Sequence, residues 1–302
     1  MSARLGTFAL IPLAAIAAMF AGGCEKKADM TTDAAPVATA AVETGTTFVR
    51  VKPAVGDKRE EDAVMGMDLA MEIDPGTGKT IKQDMKMSET TKTTKELLAL
   101  NGDVPSKVKV TYTSVDSKMT EMGKEKAKPS PIAGKTYIIE AKDGKTVITS
   151  GDGKTPPAVE TKEIEKNFKS LGKPDPIAAA LPTTPLKPGE KVDSLAKALV
   201  AFMNDKETSD DSPKVSDAVV TFKEKSGDDA VFDISLKMDK NDPAMTMSMP
   251  LTGQMKISTK TSEPSHIELK GPITMKSGDD PKSKAKVNGS GTMSLKMDQK
   301  KL

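Results

Sequence analysis

Methionine at alternate positions is the pattern in this sequence that points most directly to chemistry. Two pairs, Met65-x-Met67 and Met85-x-Met87, are followed much later by the triplet Met245-x-Met247-x-Met249. Residues two apart lie on the same face of a β-strand, so each group presents its thioethers together. Thioether sulfur is a soft ligand of the kind that Cu(I) prefers. The first hypothesis is therefore copper binding by thioether sulfur.

Core packing explains the same pattern more simply. The chain has 19 Met, 3% aromatic residues and no Trp, so flexible methionine has to fill space that aromatic rings usually fill. A third interpretation lies between these two. A curved sheet lined by Met, Leu, Ile and Val forms an adaptable apolar surface that suits a lipid or an acyl chain. The candidate ligand-binding residues are Met65, Met67, Met71, Met245, Met247 and Met249.

Other site chemistries find little support in the sequence. The single Cys rules out a cysteine-based zinc cluster, and the single His, His266, removes most metal sites and most nucleophile–histidine pairs. The segment Asp74-Pro75-Gly76-Thr77-Gly78-Lys79-Thr80 ends like a phosphate-binding loop, but Ile73 stands where that motif requires glycine. With 45 basic and 43 acidic residues, the chain has no strongly basic nucleic-acid surface. We expect a protein that is not an enzyme, without a cofactor, a metal site, catalytic residues or a nucleic-acid partner.

Period-two alternation dominates the chain on both sides of a different middle part. It is typical of half-buried strands in residues 47–155 and again in 213–300, with one strand beginning at Thr47–Val51. Residues 89–100 fit either a strand or a short helical turn, and Asn288-Gly289-Ser290 is most simply a turn. Glycine- and proline-marked turns between the strands indicate antiparallel pairing.

The middle part, residues 156–204, predicts two short helices separated by a proline-rich passage. Ile164, Phe168 and Leu171 have helical spacing, and a second stripe runs from Leu195 through Leu199 and Phe202 to Met203. A half-polar sheet has to cover its apolar face, and these helices are available to do so. The expected fold is mainly β: a large curved antiparallel sheet, half-barrel-like, with two short central helices packed against it. Two smaller β domains joined through residues 156–190 are the alternative.

The first residues have the features of a secretory signal. A basic residue, Arg4, precedes an apolar run, and the small residues Ala21, Gly22 and Gly23 precede the only Cys, Cys24. The apolar run is shorter than the ~20 residues that a membrane-spanning helix needs. We predict a signal peptide in residues 1–23, a processed Cys24, and a disordered polar tether in residues 24–46. The β-rich domain then occupies residues 47–302.

These features together resemble a broad group of bacterial envelope lipoproteins. The resemblance rests on the lipobox-like Cys24, the polar tether, the methionine-rich strands, and the motif Leu181-Pro182-x-x-Pro185-Leu186-x-Pro188-Gly189-Glu190. It implies a diacylglycerol thioether on Cys24 as the membrane anchor, and Glu25 favours the outer membrane, facing the periplasm or the cell surface. Element order alone is similar to the half-barrel of lipoprotein-carrier proteins, in which helices lie in the mouth of a curved sheet.

The expected function follows from this resemblance and from the apolar face. It is a lipid-anchored envelope protein whose β-rich body binds an apolar ligand, such as a lipid or acyl chain, or another envelope component. Periplasmic Cu(I) binding through the Met-x-Met strands and a purely structural envelope role are the alternatives.

Overall fold

A computed structural model describes residues 45–76, 78–205, 213–241, 245–278 and 286–302, and within them eleven strands form one antiparallel sheet. The strands are β1 Lys58–Asp74, β2 Ile81–Asn101, β3 Val104–Glu121, β4 Lys124–Pro129, β5 Thr136–Lys142, β6 Lys145–Ser150, β7 Lys214–Ser226, β8 Asp229–Asn241, β9 Met245–Ser258, β10 Pro264–Ser277 and β11 Lys286–Lys301. Their order across the sheet is β6-β5-β3-β2-β1-β11-β10-β9-β8-β7, and β4 pairs with β3 beside β5.

Pairing between β1 and β11 makes the sheet continuous. It joins the strands before the helices to those after them, from Arg59 opposite Lys301 to Asp74 opposite Lys286. The predicted mainly β, antiparallel fold is confirmed, and the sheet stays open between β6 and β7 rather than closing. The ambiguous residues 89–100 belong to β2, so the strand interpretation of that segment is the correct one.

Alternating burial along the strands shows how the sequence specifies the covered face. On β1 the odd-numbered residues Met65, Leu69, Met71 and Ile73 are all buried, whereas Asp68, Ala70 and Glu72 between them are exposed. Shifting the register of the strand by one residue would expose this entire apolar set. The opposite face of the sheet is polar and carries cross-strand ion pairs such as Lys86–Asp68 and Lys82–Glu72.

Three helices occur in the described part of the middle segment, one more than predicted. They are α1 Ala158–Asn167, α2 Pro176–Ala180 and α3 Asp193–Asp205. The additional helix, α2, begins where the carboxylate of Asp175 accepts hydrogen bonds from the amides of Ile177 and Ala178, and Pro176 takes a first-turn position that needs no donor. Sequence patterning misses it because five residues are too few to show a helical period.

The helices fill the hollow of a curved sheet. Helix α3 packs against β7, where the Asn204 side chain bonds the backbone of Val215. Phe202 of the same helix lines a pocket with Arg59 of β1. Five strand spacings separate β7 from β1, about 24 Å in a flat sheet, whereas a helix is only about 10–12 Å across. One helix contacts both regions because the sheet bends around it.

Glycines on three adjacent strands mark places where neighbouring backbones come unusually close. A Cβ added at Gly253 would lie 1.8 Å from the Glu268 carbonyl oxygen, and one at Gly271 would lie 1.9 Å from that of Pro250. At Gly291 the corresponding distance to the Asp68 carbonyl oxygen is 1.9 Å. Real Cβ atoms do not approach another atom below 3.0 Å. These positions on β9, β10 and β11 therefore require glycine, the residue typical of bends in strongly curved sheets.

Glycines also lie inside strands without ending them. Gly253 and Gly271 interrupt the apolar alternation, but β9 and β10 each continue through them. The predicted turn at Asn288-Gly289-Ser290 is wrong, because these residues lie inside β11. A Cβ at Gly289 would lie 3.4 Å from atoms of the Met71 and Met275 side chains, which is an ordinary packing distance.

Residues 45–51, here called the N-terminal strap, lie across the helical cover. The predicted strand at Thr47–Val51 is wrong, because the strap makes only a single β-bridge, between Thr46 and Leu186, with hydrogen bonds of 2.8 Å in both directions. Phe48 stacks on Phe232 of β8 at a ring distance of 6.2 Å, and Arg50 donates to the Leu181 carbonyl. Because the strap does not pair with any strand of the described residues, it holds the helical cover rather than extending the sheet.

Two apolar clusters form on the covered face. The larger joins β1 and β7–β11 to α2 and α3, with Ile177, Leu195 and Phe232 fully buried. The smaller joins β2, β3, β5 and β6 to α1 through Ile164 and Phe168. Each cluster has its own helical cover, and the residues between them are polar.

The close backbone approach predicts which strand glycines tolerate a side chain. Gly271→Ala should lower the free energy of unfolding by about 3 kcal/mol or more, because its Cβ overlaps a backbone carbonyl that cannot turn away. Gly66→Ala is the matched control, since its Cβ meets only the Ser294 hydroxyl, at 3.0 Å, and we expect a loss below about 1 kcal/mol. Urea unfolding measures both; equal stability of the two variants would contradict the assigned role of Gly271.

Candidate ligand-binding face and a buried polar seam

The six methionines predicted to bind a ligand all lie on the covered face, but they differ in access. Met65, Met71 and Met249 are buried in the larger cluster. Met67, Met245 and Met247 are half-buried and pack against its edge. Half of the predicted set is therefore core, and the other half keeps part of its surface accessible.

Strand pairing brings further methionines beside these, which the sequence alone did not connect. Met67 lies opposite Met87 on β2 and opposite Met293 on β11, and Met87 in turn lies opposite Met119 on β3. Side chains directly opposite on antiparallel strands have Cβ atoms about 4.5–5.5 Å apart. We define the methionine face as this row together with a second row on β1, β9 and β10. Its members are Met67, Met71, Met87, Met119, Met245, Met247, Met275 and Met293.

The methionine face offers apolar, deformable contact rather than a reactive group. Five of its members, Met67, Met87, Met119, Met245 and Met247, are half-buried. A polar boundary lies beside it, where the Gln83 side chain donates to Glu121 at 2.7 Å. Unbranched thioether side chains adjust to irregular partners, as they do at promiscuous binding surfaces.

A buried polar seam separates the two apolar clusters, and sequence reasoning missed it. Arg59 and Glu61 of β1 are each only 3% exposed although they belong to the charged run Lys58-Arg59-Glu60-Glu61-Asp62. Arg59 forms an ion pair with Glu263, and Glu61 accepts from Lys95 at 2.7 Å. Lys95 also lies over the Phe168 ring, 5.8 Å from its centre. A charged run normally predicts solvent exposure. The only sequence signal for the inner face is that Arg59 and Glu61 lie an even number of residues from Met65 on the same strand.

Acidic groups at the seam are held in an environment that disfavours charge. Burial raises the pKa of Asp175 to about 6, although the amides of Ile177 and Ala178 and the Arg59 charge oppose this, and Glu263 adds repulsion. Burial also raises the pKa of Glu263, against the opposing effect of the paired Arg59. The positive charge of buried Arg59 therefore stabilises the charged forms of two neighbouring carboxyl groups, Asp175 and Glu263.

A pocket of about 80 Å³ opens between the seam and the loop that joins α1 to α2. Its walls include Phe168, Leu171 and Phe202, and Arg59 and Lys95 also line it. Typical small-molecule sites measure about 300–1,000 Å³. This pocket is too small for an acyl chain, so the methionine face remains the better candidate for such a ligand.

Within the described ranges, no three or more His, Cys, Asp or Glu side chains come together in a metal-binding arrangement. His266 instead lies 2.6 Å from Asp298 on the polar face. None of the helices in those ranges combines the length and apolar character needed to cross a bilayer.

Cys24, the predicted lipidation site, lies outside the described residues, as do the signal peptide and most of the predicted tether. Gly45 and Thr46, expected to end that tether, belong instead to the packed strap.

The raised pKa of Asp175 predicts a pH-dependent stability difference. Because its folded-state pKa of about 6 exceeds the usual value of 3.8, the group favours folding below pH 4, and this contribution is lost as the pH rises through 6. Asp175→Asn retains a good helix-capping residue without the buried charge, so it should raise the free energy of unfolding at pH 7 by about 1–3 kcal/mol. The gain should disappear near pH 4.

Urea unfolding of both proteins from pH 4 to 8 tests this, with Glu263→Gln as a contrasting variant. Glu263 is directly paired with buried Arg59, so its neutralisation should destabilise the protein at pH 7 despite its raised pKa. A pH-independent effect of Asp175→Asn would show that Asp175 is not a buried titrating group.

Comparisons with known proteins find no protein-family model that matches and no curated protein with a similar sequence. Solved structures give remote matches. A structure titled for lipid–protein interactions in lipovitellin superimposes with a TM-score of 0.37 and 8% identity, over 80% of this chain and 25% of that one. The chain thus spans about a quarter of that protein.

Two further matches have lower scores. DynF from the dynemicin biosynthesis pathway of Micromonospora chersina has a TM-score of 0.21 and 9% identity, over 87% of this chain and 92% of that one. A LolA superfamily protein from Nitrosomonas europaea has a TM-score of 0.14 and 7% identity, over 78% and 84%. Superpositions at this level assign neither a family nor a ligand to the chain.

Proposed function

We propose that this protein is a non-enzymatic, lipid-anchored protein of the bacterial envelope that binds an acyl chain on its methionine face. The single observation that carries the ligand part is the half-buried row Met67–Met87–Met119, which crosses three neighbouring strands of the covered face. Polar side chains fill the seam between the clusters, so this row with Met245 and Met247 is the flexible apolar surface that such a ligand would meet.

The chemistry of the face suits a chain of methylene groups. Each buried CH₂ contributes about 0.8 kcal/mol, and binding needs no specific polar partner along the chain. Rotatable thioether side chains adjust to acyl chains of different length, because each adopts several rotamers at little cost. An apolar segment of another envelope component would meet the same surface, and competition with a free fatty acid would reveal it.

The anchoring part rests on the sequence around Cys24 and on the course of the strap. A diacylglycerol thioether at Cys24, with a further acyl group, supplies the two or more chains that stable anchoring needs. The tether then enters the folded body at Gly45, which contacts Pro185 and Leu186. We place the protein at the outer membrane, facing the periplasm, since Glu25 follows the modified cysteine.

Binding of palmitate tests the ligand part. The protein is the chain from residue 24 onward with Cys24→Ser, so that no attached lipid competes. Replacing Met67, Met245 and Met247 together by Gln should weaken palmitate binding at least tenfold, because polar amides replace apolar contact area. Replacing the same three by Leu should leave the affinity within about threefold, since apolar area is kept. Titration calorimetry provides the affinities, and circular dichroism confirms folding.

Controls separate this proposal from copper binding. Met122→Gln changes a methionine that is 69% exposed in the β3–β4 turn and is not a member of the methionine face, so it should leave palmitate binding unchanged. For a Cu(I) site the two triple variants should behave alike, because Gln and Leu both remove the sulfur ligands and abolish Cu(I) affinity. Failure of the parent chain to bind palmitate, or equal binding by the Gln and Leu variants, would contradict the acyl-chain proposal.

Membrane attachment is tested separately in the full-length chain. Cys24→Ser should move the protein from the detergent-soluble membrane fraction to the soluble fraction and abolish incorporation of labelled palmitate. Globomycin should make the unprocessed precursor accumulate, since it blocks the cleavage that precedes a modified cysteine. Unchanged membrane association of the Cys24→Ser protein would overturn the anchoring proposal while leaving the ligand proposal standing.

A further inference from the structure

A second, much smaller cavity lies where the C-terminal end of α1 meets the sheet. It measures about 10 Å³ and is separate from the methionine face. Its lining comes from β2, β3 and the end of α1: Thr91, Thr93, Lys95, Val110, Tyr112, Asn167 and Phe168. Helix, sheet and polar seam therefore all meet around this one space.

Two polar atoms of the lining residues have no hydrogen-bond partner among the described residues. They are Thr93 Oγ1 and Asn167 Oδ1, and the two residues are only 3% and 4% exposed. A buried polar atom without a partner is costly, and native structures contain only a few of them. The Asn167 amide also lies beside the Tyr112 hydroxyl, whose pKa is raised mainly by burial.

The volume and chemistry of the cavity fit a single water molecule. About 10 Å³ is roughly the smallest space that accommodates a water molecule, which needs two to four polar partners. Thr93 Oγ1 and Asn167 Oδ1 both accept hydrogen bonds, and a water molecule has two hydrogens to donate. The Lys95 ammonium, which carries three donors and uses one on Glu61, lines the same cavity and can donate to the water oxygen.

We propose that this cavity binds one ordered water molecule that donates to Thr93 Oγ1 and Asn167 Oδ1 and so bridges α1 to β2. The water satisfies both buried acceptors, and it links the helix that covers the smaller cluster to the polar seam. The inference concerns a structural site and is independent of the proposed function.

Substitution at Thr93 distinguishes a bridged hydroxyl from an unsatisfied one. Valine has the shape of threonine without the hydroxyl. If a water bridges the two side chains, Thr93→Val removes one of its partners and should raise the unfolded-to-folded ratio about tenfold. If the hydroxyl is unsatisfied, the same change removes the cost of burying a polar group without a hydrogen bond. The ratio should then fall or stay unchanged, which would overturn the proposal.

Thr91→Val is the matched control, because Thr91 lines the same cavity two residues earlier on the same strand face. We expect it to change the ratio less than Thr93→Val. Asn167→Ala combined with Thr93→Val should be less damaging than the product of the single effects, because both act on one water.

A crystal structure at about 1.3 Å resolution of the chain from residue 24 onward should show a water peak within hydrogen-bond distance of both Thr93 Oγ1 and Asn167 Oδ1. Absence of that peak would also overturn the proposal.

Discussion

The close approach of neighbouring backbones at Gly253, Gly271 and Gly291 is the constraint on which the rest of the structure depends. No side chain fits between these glycines and the carbonyl groups opposite them, so this part of the sheet can adopt its bend only with glycine there. The bend creates the hollow that holds α2 and α3, and it brings β7 and β1 to the same helix. The larger apolar cluster is continuous because of this geometry.

The polar seam is the second consequence of wrapping one sheet around two sets of helices. The residues between the two apolar clusters are polar and need partners of their own. Arg59, Glu61 and Lys95 obtain these partners within the seam and from Glu263. Pairing of this kind does little for stability relative to apolar packing, but it disfavours any register in which these charges would lose their partners.

The general architecture could be predicted from the sequence because it depends on patterns that extend over many residues. The alternation in β1 and the helical stripe of Leu195, Leu199 and Phe202 both have enough length to be recognised. Features that depend on a single contact could not be predicted. Residues Thr47–Val51 of the strap alternate like a strand but do not pair with one in the part of the chain that the structure describes, and Gly289 in an Asn-Gly-Ser sequence has the composition of a turn although it lies inside β11.

The same limit applies to the candidate site. Spacing placed Met65, Met67 and Met71 on one face correctly, because period two is a property of a single strand. Met67 lies beside Met87, Met119 and Met293 because of the order and register of four strands. The spacing of residues along one strand does not reveal that order or register. Burial of Arg59 likewise depends on what lies against the strand, here Glu263 and the segment that begins α2.

The N-terminal strap determines how a mechanical load would enter the fold. Tension applied at the first described residue reaches the paired hydrogen bonds between Thr46 and Leu186 before it reaches any strand of the sheet. Further along, Val49 and Arg50 distribute that tension over Thr259 at a sheet turn and Leu181 after α2. A pull at Gly45 is therefore shared between the helical cover and the sheet beneath it.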